Sequence, residues 1–101
     1  MISLNNLLNT SEDLLISTRN RDEFNNLMQF LATKDYRWTS GDTPTSQLHL
    51  WNMYGTYTVV HIRHQRISYG STQIYGNVKI FKFSELDIGN GNYQIDFEEI
   101  Y

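Results

Sequence analysis

Residues 20–41 read NRDEFNNLMQFLATKDYRWTSG, a helix that runs directly into a strand. Asn20 and Glu23 stand three apart, the capping-box spacing, so the Asn20 side chain can accept from the Glu23 amide while Glu23 reaches back. Asp22 and Glu23 put negative charge in the first turn, where the unpaired amides favour it. Phe24, Leu27, Met28 and Leu31 fall at i, i+3, i+4 and i+7, one apolar stripe that Phe30 widens. Asn25, Asn26, Gln29 and Thr33 take the other side, and Lys34 suits the last turn. The helix is expected to end within two residues of Lys34, and Tyr36 to open a strand that carries Trp38. A stripe of this length faces the core of a small domain more often than it faces a partner.

Upstream, Ile2, Leu4, Leu7 and Leu8 have a weak helical spacing, too short to hold without packing. Asn9-Thr10-Ser11 breaks it. Leu14–Thr18 is short, apolar and β-compatible, and is read as the first strand, with a helical Ser11–Leu15 as the alternative. The chain therefore starts β-α-β. Downstream, Ser40–Ser46 (SGDTPTS) is a loop holding the only proline, clamped between Trp38 and Trp51. Leu48–Tyr54 fits the start of a strand or an irregular aromatic segment equally well, and Asn52–Gly55 reads as a turn.

Thr56–His64 (TYTVVHIRH) is the strongest strand pattern, rich in β-branched residues at period two. One face shows Thr58, Val60, Ile62 and His64, the other Tyr57, Val59, His61 and Arg63. Arg66–Tyr69 follows closely enough for a hairpin turning at His64-Gln65. Its apolar side is then Val60, Ile62, Ile67 and Tyr69. Gly70–Asn77 reads as a loop anchored by Ile74 and Tyr75. Val78–Phe83 reads as a further, central strand, Gly89-Asn90-Gly91 as a turn, and Tyr93–Phe97 as an edge strand that Glu98 and Glu99 keep from further pairing.

At 101 residues the chain is sized for one domain and one core, with residues 1–13 as a lead-in and 84–101 as an acidic C-terminal segment. The lack of cysteine excludes disulfides, thiolate nucleophiles and cysteine metal sites. Neither a signal-type apolar core nor a membrane-length run is present, so the expectation is a cytoplasmic protein without a membrane, monomeric or homodimeric. Charge is segregated. Residues 1–33 sum to −2, residues 34–82 to +4 and residues 83–101 to −5. A basic middle beside an acidic tail fits a nucleic-acid surface with a competing tail. A tail that packs beside the sheet and neutralises it is the commoner arrangement, because the basic residues are spread out.

The chemistry-bearing residues are few. His61 and His64 are three apart, which on a strand places them on opposite faces and prevents chelation of one ion. Glu12-Asp13 and Glu98-Glu99 are adjacent carboxylates of the solvated kind, and no glycine-flanked nucleophile or phosphate loop occurs. No enzyme activity, metal or cofactor is expected. The notable constellation is Tyr57, His61, Arg63 and Arg66 on the outer face of the hairpin, with Tyr36, Arg37 and Tyr75 near it. Rings with guanidinium groups suit a nucleotide or single-stranded nucleic acid, and equally a protein hot spot. Amphipathic tyrosines covering the solvent side of a sheet give the same pattern without function. The acidic tail, through Asp96, Glu98 and Glu99, is a candidate to occupy the same face.

The order of Phe24, Leu27, Met28, Phe30 and Leu31, then Tyr36-Arg37-Trp38-Thr39-Ser40-Gly41, Trp51 and Tyr54, Thr58-Val59-Val60, Ile67-Ser68-Tyr69-Gly70 and Lys79–Phe83 resembles small bacteriophage-encoded accessory proteins. In these a helix leads into a Y-x-W-x-S-G turn and an antiparallel sheet. The resemblance spans about Leu14 to Leu86 and transfers no functional residue. It implies a phage or prophage product that binds a host protein and modulates or inhibits it, with nucleotide or single-stranded nucleic acid as the alternative ligand. The expected fold is α+β, one principal helix packed on an antiparallel sheet of four to five strands.

Overall fold

The computed structural model describes residues 2–75 and 78–89. The fold is α+β. In chain order the elements are β1 (Ile2–Ser3), α1 (Leu4–Thr10), β2 (Asp13–Ser17), α2 (Arg21–Thr33), β3 (Arg37–Trp38), a 3-10 helix (Pro44–Leu50), α3 (Trp51–Tyr54) and a short 3-10 turn (Gly55–Tyr57). Then come β4 (Thr58–Arg63), β5 (Arg66–Ser71), β6 (Phe81–Lys82), a 3-10 turn (Phe83–Glu85) and β7 (Leu86–Asp87). β3-β5-β4-β2-β6 form one sheet, and β1 pairs with β7 in a second, two-stranded one.

The β-α-β start is present, with a hairpin inserted into it. β2 pairs antiparallel with β4, β4 with β5 antiparallel, and β3 joins β5 in parallel. β2 and β3 therefore run the same way with β4 and β5 between them. Both edges pair in parallel, so the sheet is mixed rather than antiparallel. Val78–Phe83 is not a central strand: only Phe81–Lys82 pairs, at the edge beside β2. The expected strand Tyr93–Phe97 lies outside the described residues.

The Asn20 half of the expected cap of α2 is present, while the Glu23 half shifts by one residue, from Asn20 to Arg19. Asn20 accepts from the Glu23 amide at 2.9 Å, and the Glu23 carboxylate reaches back to the Arg19 amide at 2.9 Å and to its guanidinium. Phe24, Leu27, Met28 and Leu31 are buried against Leu14, Ile16, Val60, Ile62, Ile67 and Trp38. Leu4 of α1 joins this core, so the N-terminal helix is part of it. Trp38 is 4% exposed, meets Tyr69 edge-on, and donates from Nε1 to the Pro44 carbonyl at 3.1 Å. That bond clamps the 39–43 loop.

Two further readings need correction. Leu48–Tyr54 is helical, not a strand or an irregular segment, and Pro44 at the first helical position begins it. This layer flanks α2, so Asn25, placed on the solvent side by its polarity, is fully buried. Its side-chain amide has no protein hydrogen-bond partner among the described residues.

Candidate functional site

α2 covers one face of the sheet. The register fixes what stands on the other. Asp13 lies opposite Arg63, Arg63 opposite Arg66, and Arg66 opposite Arg37. Residues directly opposite share a face, so β2, β4, β5 and β3 carry one row reading Asp13, Arg63, Arg66, Arg37. Adjacent strands are about 4.8 Å apart, so the three arginine backbones span about 10 Å. Like charges directly opposite destabilise a sheet, and only part of this charge is compensated. Arg63 Nε is 3.8 Å from Asp13 Oδ1, and Arg37 Nη1 donates to the Gly41 carbonyl at 3.2 Å. Arg66, in the middle, is exposed and has no carboxylate partner among the described residues.

The next row is Leu15, His61 and Ser68, and the one after it Ser17, Val59 and Gly70. His61 Nε2 donates to Asp13 Oδ1 at 2.8 Å. That hydrogen bond, with the Arg63, His61 and His64 charges, holds the Asp13 carboxyl below the usual carboxylate range against a smaller opposing effect of desolvation. Tyr75 lies edge-on to the His61 ring at 5.7 Å between centroids. A Cβ on Gly70 would meet Tyr75 Cε2 at 2.9 Å and Ile74 Cδ1 at 3.3 Å. The chain after β5 thus folds back across this face. Thr72 N donates to the Tyr57 carbonyl at 2.9 Å and Ile74 N to the Ser71 carbonyl at 3.0 Å, which fix the turn. Under it Val59 is fully buried, although it points away from α2.

Of the four expected binding residues, the structure brings His61, Arg63 and Arg66 together. Tyr57 stands apart. It ends the 3-10 turn before β4, about 20 Å along the strand from Arg63, and is 65% exposed. It lines a groove with Met53, Tyr54, Ser71 and Gln73. Tyr36 is also on the other side, packed against the core. Arg37 and Asp13 complete the row. The sequence puts Arg37 near the patch, whereas Asp13, beside Glu12, reads as solvated charge. The alternation Asp13, Leu15, Ser17 is the signal that puts it on the face of His61.

At the same end of the sheet is a cleft of about 270 Å³ lined by residues 8–12, Leu14, Tyr36, Ile62, His64 and Gln65. Burial pushes the Tyr36 phenol above its ordinary value. No helix among the described residues is long and apolar enough to cross a membrane. No protein-family model, curated protein or solved structure matches the chain.

Proposed function

We propose that the protein is a non-catalytic binding module that engages an acidic partner protein through the Arg63, Arg66, Arg37 row. The observation that carries this is Arg66, flanked by two arginines and matched by no carboxylate among the described residues. A row of side chains that repel one another stabilises nothing in the sheet itself, and becomes favourable when carboxylates of a partner meet it. In the phage setting that the sequence resemblance implies, the partner is a host protein whose activity the binding alters. Single-stranded nucleic acid is the weaker reading. It needs exposed rings beside the cations, whereas Tyr57 stands at the far end and Tyr75 is half-buried against His61.

The test is titration of the protein with a glutamate-rich peptide and with an oligothymidylate over a range of salt. The expected result is that the peptide binds, weakens as salt rises, and is weakened severalfold by Arg66→Glu. Peptide binding unchanged by Arg66→Glu overturns the reading. So does oligothymidylate binding that is tighter than peptide binding and falls with Tyr75→Ala. If removal of the residues after Asn92 strengthens peptide binding severalfold, the acidic tail competes for the row, which also requires the row to accept carboxylates.

A further inference from the structure

The cleft beside the β4–β5 turn is bordered by unusual backbone. Three non-glycine residues of the described chain have positive φ: Asp35 at 65°, His64 at 51° and Gln65 at 63°. All three adjoin this cleft. Asp35 precedes Tyr36, a lining residue, and His64 and Gln65 form the rim. His64 and Gln65 are the two central residues of the hairpin turn, since Arg63 pairs with Arg66. A two-residue turn with both φ positive strongly favours Asn-Gly, and residues with larger side chains there are strained. The Gln65 carbonyl accepts from the Arg37 amide at 3.2 Å, which ties the turn to the segment after α2. The hairpin would form at least as well with Asn-Gly, so the two larger side chains are held at this rim at the expense of local stability.

The size of the cleft limits what enters it. A cavity of about 150 Å³ holds a benzene ring, and pockets for whole small-molecule ligands run from about 300 to 1,000 Å³. At about 270 Å³, and lined by the polar residues 9–12 as well as by Leu8, Leu14 and Ile62, the cleft has the size and the mixed lining for one amphipathic ring rather than a complete ligand. Tyr36, half-buried against the core, forms part of the same lining. Arg63 and Arg66 flank the turn directly, so the cleft and the arginine row are two sides of one sheet end.

Resting on the acidic-partner reading, we infer that the cleft receives an aromatic side chain of the same partner, placed beside the carboxylates that meet the arginines. Tryptophan and tyrosine are the residue types that most often anchor such contacts. The arginine row then supplies charge steering and the cleft the buried anchor.

Two glutamate-rich peptides, one carrying a single tryptophan and the other alanine in its place, separate the two readings. The tryptophan peptide is expected to bind about tenfold tighter, as for a ring that gains roughly 1.4 kcal/mol. Arg66→Glu is expected to weaken both peptides by a common factor. The variant His64→Asn with Gln65→Gly is expected to melt at a higher temperature yet lose the tryptophan advantage, so misfolding cannot explain the loss. Equal binding of the two peptides to the wild-type protein overturns the inference and leaves the acidic-partner reading standing. An unchanged tryptophan advantage in the more stable variant overturns it too. Free indole supplies an independent readout: amide shifts at Tyr36, Ile62 and Gln65 are expected with wild type and with Arg66→Glu, and shifts confined to other residues overturn the inference.

Discussion

The two faces of the sheet exclude water by different means. Under α2, residues from four strands meet a helix stripe and the flanking 3-10 layer, and Trp38 closes the edge with a hydrogen bond to Pro44. On the opposite face, the Tyr75 and Ile74 side chains of one turn rest on Gly70, directly opposite the buried Val59. The first face depends on many contacts at once, so each large side chain in it is worth several kcal/mol. The second depends on one close approach over a glycine, and at the sheet end it gives way to the arginine row. Stability is concentrated on one face, which leaves the other free to carry charge that the fold does not need.

The sharpest way to break this contrast is on the α2 face. Trp38→Ala is expected to lower stability by about 3–5 kcal/mol, measured by denaturant unfolding. An unchanged unfolding midpoint would mean the ring is not an anchor. On the second face the effect is smaller. Gly70→Ala puts a methyl group 2.9 Å from Tyr75, and overpacking of this kind costs roughly 1–3 kcal/mol. The lower end is expected because the tyrosine ring can swing away. Methyl chemical-shift changes at Val59 with little change at Val60 would place the damage on that face alone; equal changes at both would show that the two faces are not separable.

The smallest effect is at the row itself. Asp13 has a folded-state affinity for protons below its unfolded one, chiefly because His61 donates to it, with Arg63 adding to the effect. Its contribution to stability is thus present above the ordinary carboxyl range and lost as pH falls through the depressed folded value. Asp13→Asn should differ from wild type at neutral pH and converge with it in acid. A difference that persists at acid pH would show that the carboxylate charge is not what His61 and Arg63 recognise.

What the sequence made legible follows from the range over which each signal acts. The α2 stripe, its Asn20 cap and the His64-Gln65 turn are encoded within a few residues, and all stand where they were expected. The alternation along β4 is equally local, so Val60 and Ile62 face α2 while His61 and Arg63 face away. The rest is set between distant residues. Ile80, Phe81 and Phe83 read as central because they are apolar, yet strand order depends on pairing with Ile16 and Ser17. The helical turns of residues 44–54 are too short to show a period, and Pro44 was their one local mark. Asn25 was assigned to solvent by its polarity, and its burial depends on those same unrecognised turns. Three members of the candidate site, His61, Arg63 and Arg66, lie on the hairpin and could be grouped from its period. Arg37 and Asp13 join them only through the β3 and β2 registers, which the sequence does not state. Tyr57 was misgrouped because the alternation was extended one residue beyond the strand.

The position of β2 also bears on how the chain is made. β2 lies between β4 and β6, and its Ile16 pairs with Val60 on one side and Phe81 on the other. The hairpin of β4 and β5 contacts itself within a few residues and can close in about 1–10 μs once synthesised. The run Leu14-Leu15-Ile16 emerges much earlier and has no neighbour until that hairpin exists. At 5–20 residues per second, roughly 3–11 s separate the synthesis of Ile16 from that of Ser71, which completes the hairpin. During that interval an apolar strand is left without partners on the growing chain, a natural place for a chaperone to hold it.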